Sequence, residues 1–322
     1  MTKTIAVTGA TGTQGGSVAR ILLATGAWKV RAITRNPNGN AAQTLATKGA
    51  EVVGADFDDE DSLVKAFEGV EAIFAVTNFW EHLLAGKSPS EAGEIEAKHA
   101  VNLAKAASQT ETLQHYVWST LPSANDGTNG QCHVPHFDYK ARVDQRIRDE
   151  YPELAAKTTY LYVGFYSSNL AFLPGLKPIE VPGSGKYIWP ITSKPSTTFP
   201  ITGDVSVTVG TWVRQILAHP KKALGKYAIV HAEVVSFEKI AQDWSEVTGK
   251  PVVVVEFTSK EYEDLWGVLG VEINMQFKFC EVVSDWPSYL GSSYVSKEEL
   301  DIKPEEARGL KYALEQIKTY LL

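Results

Sequence analysis

Apolar residues run almost without interruption at 4–8 (TIAVT), 29–34 (KVRAIT), 51–54 (EVVG), 71–76 (EAIFAV) and 114–119 (QHYVWS). Short, unbroken runs of this kind predict strands covered on both faces. The segments between them, 14–25, 40–48, 59–68 and 90–108, space their apolar positions as helices do. Strands alternating with helices predict a parallel sheet, and right-handed crossovers make it doubly wound.

A helix at 137–150 and a strand at 157–163 (KTTYLYV) extend this unit. The pattern then changes. Residues 174–203 are rich in Pro, Gly, Ser and Thr and read as loops and short strands. Helices are predicted at 205–218 and 236–248, a strand at 251–257, helical segments at 259–284 and a last helix at 304–321. The expected architecture is α/β: a Rossmann-type doubly wound parallel sheet over 1–165, and a smaller α+β C-terminal lobe over 166–322. Some lobe segments are expected to return to the main domain. A substrate or partner would lie in the cleft between the two.

Composition narrows the function. The chain has 322 residues, 31 basic and 38 acidic, for a formal net charge of -7. That balance argues against direct nucleic-acid binding, which needs a positive footprint. Two cysteines, Cys132 and Cys280, support neither a disulfide framework nor a cysteine-rich metal site. His99, His115 and His133 have no metal-ligand spacing, so no metal is expected. No stretch approaches the roughly 20 apolar residues of a membrane span. The strand at the N-terminus leaves no place for a signal peptide. A cytoplasmic protein is expected, with access to the nucleus and the oligomeric state left open.

The chemistry begins at residues 5–18, IAVTGATGTQGGSV. Gly9, Gly12 and Gly15 lie between a strand end and a helix start, in a spacing related to G-x-G-x-x-G. Glycine admits positive φ and removes the Cβ that would hold a phosphate away. The helix N-terminus offers N–H groups and positive dipole to a pyrophosphate. Thr11, Thr13 and Gln14 are suited to line the turn. The second strand ends at Arg35, where an NAD site usually carries an acid. An arginine there favours the 2′-phosphate of NADP(H). After the third strand, Asp56 and Phe57 are candidates for the adenine. The fourth strand leads to Thr77-Asn78-Phe79-Trp80, beside the expected nicotinamide end.

Taken together, GATGTQGGSVARILL, KVRAITRNP, GAEVVGADFDD, FAVTNFWE, QHYVWST and HFDYKARVDQRIRD make the chain resemble the NmrA-like atypical short-chain dehydrogenase/reductases, most of all their NADPH-sensing members. The likeness is densest over the first 150 residues or so, and GFYSSNL and TGDVSVTVG extend it. It implies a Rossmann-type NADP(H) domain in which Gly9, Thr11, Gly12, Thr13, Gln14 and Gly15 hold the phosphates. Arg35 would meet the 2′-phosphate, and Asp56 and Phe57 the adenine. Thr77, Asn78, Lys98, Lys140 and the Phe165–Asn169 segment, with Phe165, Tyr166 and Asn169, would surround the nicotinamide ribose. One departure bears on selectivity: Asn36-Pro37-Asn38-Gly39-Asn40 stands where the sensors carry a basic cluster.

The superfamily's Tyr-x-x-x-Lys pair is incomplete. Lys140 is present, but the residue four before it is His136. Tyr139 precedes Lys140 directly and lies about 100° away around a helix. Lys140 therefore anchors the cofactor or acts in catalysis. His136 either packs at the helix start or donates a proton. Ser119 and Thr120, at the end of the fifth strand, are candidates for polarising a substrate. Two functions remain. The first is an NADP(H)-binding sensor or regulator acting through a protein partner. The second is an NADPH-dependent reductase of a small carbonyl or enone, using Lys140 and a pocket of Phe79, Trp80, Phe165, Tyr166 and Trp189.

Overall fold

The computed structural model describes residues 2–322. Six strands follow the predicted order: β1 (Thr4–Val7), β2 (Lys29–Thr34), β3 (Glu51–Gly54), β4 (Ala72–Ala75), β5 (His115–Thr120) and β6 (Thr158–Val163). The lobe contributes β7 (Ile179–Val181), β8 (Lys186–Ile191), β9 (Thr198–Ile201), β10 (Tyr227–Val230), β11 (Glu233–Ser236), β12 (Val252–Glu256) and β13 (Tyr294–Val295). The main sheet has eight strands in the order β13-β10-β6-β5-β4-β1-β2-β3. Every pairing in it is parallel. Every residue of β4, β5 and β6 is buried, as their unbroken apolar runs require.

The strand order reverses between β1 and β4, so the helices after these strands diverge and leave a crevice at their carboxyl ends. Helix Val205–Ala218 comes from the second half of the chain but packs on helix Thr13–Thr25. Gly210 makes this close approach possible, and its N–H donates to Ser17 Oγ at 2.9 Å. The remaining lobe strands form a three-stranded β12-β8-β7 sheet and a β11-β9 pair. Behind them lies an aromatic core that includes Trp189, Phe237, Trp244 and Phe277.

Two differences from the pattern-based expectation have tertiary causes. The short strands β10 and β13 lack a pattern of their own and are defined by pairing to β6 and to each other. The segment 304–321 is not one helix: a 3-10 turn at Pro304–Glu306 precedes helix Leu310–Gln316, and another 3-10 turn follows at Lys318–Tyr320. Gly309 breaks the run, and the Glu233 carboxylate accepts from Leu310 N–H at 2.5 Å, so a distant side chain starts the second helix.

Asp144 is buried below the sheet, accepting from Trp118 Nε1–H at 2.8 Å and from the Tyr227 hydroxyl at 3.2 Å. Burial pushes its carboxyl up from 3.8 to about 7. The unfolded chain loses this proton near its ordinary value while the folded chain keeps it, so this group lowers stability as pH rises between those two values. Thermal melts from about pH 4 to 8 are expected to show a shallower alkaline decline in Asp144→Asn than in the unsubstituted protein. Parallel curves would show that Asp144 does not carry this dependence.

Candidate functional site

A cavity of about 890 Å³ occupies the crevice at the carboxyl ends of the central strands. Its floor is the glycine turn. Gly9 has φ +56°, and Gly12 N–H donates to Gly9 O at 2.8 Å. Gly12 precedes helix Thr13–Thr25 and supplies no side-chain cap. The first-turn N–H groups of that helix therefore face the cleft without a capping acceptor. A Cβ on Gly15 would fall within 3.0 Å of the Thr8 and Gly9 carbonyl oxygens. The helix starts directly over the strand end only because that atom is missing. Thr11, Thr13 and Gln14 line the same turn.

At one end of the cleft, Arg35 donates from Nη2 to Glu81 Oε1 at 2.8 Å and Oε2 at 2.9 Å. Glu81 lies in the first turn of the short helix Phe79–Leu84 that follows β4 and lines the cleft beside the arginine. Asp56 and Phe57 also line this end. The Asp56 carboxylate accepts from Asp58 N–H at 3.0 Å, and Asn102 Nδ2–H donates to Phe57 O at 2.8 Å, so the loop after β3 is pinned from both sides. Lys98 departs from expectation. It does not surround the nicotinamide end: its ammonium donates to Asp58 Oδ1 at 2.7 Å and is exposed. The cause is helical phase, since Lys98 lies two positions, about 200°, past Glu96, which faces the cleft.

The middle of the cleft holds a buried polar group. Lys140 Nζ donates to Thr77 Oγ1 at 2.8 Å and pairs with Glu96 Oε1 at 2.8 Å. The Thr77 hydroxyl donates to that same Glu96 oxygen at 2.9 Å. Lys140 Nζ also lies 5.2 Å from the Trp118 ring centroid, a cation–π distance. Asn78 caps the short helix Phe79–Leu84 through its side chain. Next to this group, Ser119 Oγ–H donates to Gln14 Oε1 at 2.7 Å, and Gln14 Nε2–H donates to the Tyr166 hydroxyl at 2.6 Å. Burial pushes the Tyr166 phenol up to about 12, so it stays neutral and is no substitute for an activated tyrosine. Tyr139 packs against Gly93 and under Arg142, away from the cleft.

The far end is aromatic. Phe79, Trp80, Phe165, Phe172, Phe199 and Trp286 line it, with Asn169 and Tyr166 at its edge. Trp189 does not join them: it is buried in the lobe core against Phe237 at 5.5 Å. β8 pairs on both sides, and the face carrying Trp189 is turned into the lobe. His136 lines the cleft and meets a partner from the lobe: its Nδ1 lies 2.5 Å from Glu272 Oε1. Both cysteines are free and buried. Among the described residues, no three His, Cys, Asp or Glu side chains gather as a metal group, and no helix is long and apolar enough to cross a membrane.

Glu96, Glu81 and Glu272 complete the site, and sequence reading missed all three. Glu96 had a readable signal. Within helix Pro89–Ser108 it shares a buried stripe with Ala92, Gly93, Ala97, Ala100 and Leu103, and an acid in such a stripe needs a partner.

Comparison with known proteins gives a consistent picture. The NmrA-like family profile matches residues 1–308. The NmrA-like family domain-containing oxidoreductase hkm9 of Aspergillus hancockii is 30% identical over 281 residues, covering 84% of this chain and 80% of its own. Among solved structures, NmrA, a negative transcriptional regulator in complex with NAD, superposes with a TM-score of 0.77 at 22% identity, covering 99% of this chain and 96% of its own. The NADPH-dependent quinone oxidoreductase QOR2 of Escherichia coli, complexed with NADPH, does so with a TM-score of 0.69 at 20% identity, covering 97% and 99%. These two likenesses establish a shared fold, and the family profile spans nearly the whole chain: this protein belongs to the NmrA-like family.

Proposed function

We propose that the chain binds NADP(H) along the cleft and reduces a small neutral carbonyl compound with it. One observation carries the reductase reading: the lining of the cleft runs from the glycine turn past Lys140 to Phe79, Trp80, Phe165, Phe172, Phe199 and Trp286, aromatic walls that would hold a substrate beside the cofactor. The oxidoreductase name of a relative at 30% identity supports the same reading. The NAD and NADPH in the complexes of two structural neighbours support the cofactor half of the proposal, one of the two being a negative transcriptional regulator.

The residues present fit the cofactor. Uncapped N–H groups at a glycine-lined helix start suit a pyrophosphate, and the missing Cβ at Gly15 lets that helix start directly over the end of β1. Thr11, Gly12, Thr13 and Gln14 complete that cradle, Arg35 takes the 2′-phosphate, and Asp56 and Phe57 hold the adenine. Thr77, Asn78, Phe165, Tyr166 and Asn169 flank the other end. Bound NADPH supplies a hydride. Lys140 has three N–H donors, and Thr77 and Glu96 take two, so one is left for a ribose hydroxyl. The aromatic walls exclude water from the reacting centre.

Calorimetric titration with NADP+ and NADPH, followed by NADPH oxidation assays with quinones, enones and aryl aldehydes, tests the proposal. Binding with turnover supports it. Binding without turnover of any of these compounds favours the regulator reading, in which the cofactor acts on a protein partner. No binding at saturating cofactor would remove both.

The Arg35–Glu81 pair gives a second expected result. Arg35→Ser should weaken NADP+ binding about 10–100-fold, the worth of a lost charge-assisted contact, with little change for NAD+. Glu81→Gln should tighten NADP+ by freeing the guanidinium and removing a negative charge next to the phosphate. Equal effects on both nucleotides would place the 2′-phosphate elsewhere.

A further inference from the structure

A buried histidine–glutamate pair joins the two parts of the chain beside the cleft. Helix Ser259–Val282 of the lobe carries Glu272, which is fully buried. Its Oε1 accepts from the backbone N–H of His136 at 2.9 Å and lies 2.5 Å from His136 Nδ1. Its Oε2 is buried with no hydrogen-bond partner. A carboxyl oxygen that already accepts one N–H is arranged to accept a second, so the ring proton belongs on Nδ1. Nε2, across the ring from Nδ1, is then the nitrogen left for the cleft that His136 lines. The ring has little freedom to turn. Phe137, Trp80 and Phe79 hold it with centroids at 4.6, 4.9 and 5.7 Å.

The surroundings also describe the substrate. The aromatic end of the cleft, from Trp80 to Phe172 and Trp286, is walled mostly by apolar rings, and the nearby charged lining residues Lys140 and Glu96 are already paired with each other. A charged substrate would lose its hydration there without a counter-ion. A flat, neutral carbonyl compound is what these walls accept.

We infer that His136 is the proton donor of the proposed reduction and that Glu272 is its positioning residue, acting on a neutral aromatic or conjugated carbonyl substrate. The inference rests on the reductase reading above. The carbonyl carbon takes a hydride from NADPH, which leaves as NADP+. The C=O electron pair moves to oxygen, and that oxygen takes the proton from Nε2 of the imidazolium. Water then returns a proton to the ring. Glu272 offsets the imidazolium charge and holds the ring at one angle. The lobe thereby completes the site, supplying both substrate walls and the carboxylate behind the proton donor.

The test compares wild type, His136→Gln and Glu272→Gln with menadione and cinnamaldehyde as probes, and reads the histidine ring by 15N NMR in cofactor-free protein. His136→Gln should lower kcat about 100-fold or more, the usual worth of a placed general acid. Glu272→Gln is nearly isosteric and keeps an acceptor for the His136 N–H. It should lower kcat at least tenfold, with KM and the NADPH Kd within about twofold, a split that general loosening of the fold would not give. The wild-type neutral ring should carry its proton on Nδ1, and in Glu272→Gln the proton should spread over both nitrogens. Unchanged kcat in both variants, or a wild-type ring protonated on Nε2 alone, would overturn the inference while leaving NADPH turnover intact. A wild type that binds NADPH but turns over neither these probes nor the wider carbonyl series would overturn the reductase reading and this inference with it.

Discussion

Lys140→Met is expected to destabilise the folded protein by about 3–5 kcal/mol and to abolish turnover. The side chains of Lys140 and Glu96 are 10% and 1% exposed, so their pairing is shielded from solvent. Methionine fills a similar volume but leaves the Glu96 carboxylate in an apolar site with only the Thr77 hydroxyl as donor. One Glu96 oxygen is already without a hydrogen-bond partner, so little local compensation exists. Adding Glu96→Gln removes the stranded charge and should recover most of the lost stability, because a buried pair replaced as a unit costs far less than one broken on one side. The double variant should remain inactive, since the ammonium proposed to meet the ribose is still missing. Urea midpoints of the three proteins, with NADPH oxidation rates alongside, check both halves. Equal stability of the single and double variants would mean that the charge pair is not what the fold depends on.

Gly15→Ala is expected to have the second large effect. The added methyl would stand within 3.0 Å of two carbonyl oxygens, of Thr8 and Gly9, and both belong to backbone at the end of β1. No rotamer relieves such a contact, so helix Thr13–Thr25 must move off the sheet. That movement is opposed from behind, where Gly210 presses helix Val205–Ala218 against Ser17 and Ile21. Overpacking of this kind costs about 1–3 kcal/mol or more, and it displaces the N–H groups proposed to hold the pyrophosphate. Gly16→Ala is the matched control. Its methyl would meet the far end of the Arg20 side chain, which can swing aside, and would lie 3.3 Å from the Ala10 carbonyl oxygen, a contact that a small shift relieves. Melting temperatures and NADP+ affinities should therefore separate the neighbouring variants, Gly15→Ala losing both and Gly16→Ala neither. Indistinguishable variants would show that the helix start tolerates displacement.

The two halves of the chain differed in how much of the fold could be read in advance. In the first half each strand is a short apolar run and each helix a separate periodic segment, so element type and order follow from local pattern. In the second half, Tyr227–Val230 and Tyr294–Val295 are strands because an unfilled edge beside β6 pairs with them. The same pattern reading ran helix 304–321 through Gly309, where Glu233 starts a new helix from 77 residues away.

The candidate site divides the same way. The glycine spacing, Arg35, and the loss of tyrosine before Lys140 are local features, set by what a turn, a strand end and a helical face require of their own residues. From them the sequence by itself determined a parallel α/β fold with a nucleotide-type crevice at its first strand. Only the tertiary structure decided what faces that crevice. It put Glu81 on Arg35, turned Lys98 out to Asp58, drew Trp189 into the lobe core, and brought Glu96 to Lys140 and Glu272 to His136. The physical reason is range. Hydrogen-bond periodicity and backbone sterics act over a few residues and leave a trace in local pattern. A buried charge is satisfied by whatever partner the packed helices bring within about 3 Å, and sequence spacing carries no record of that distance.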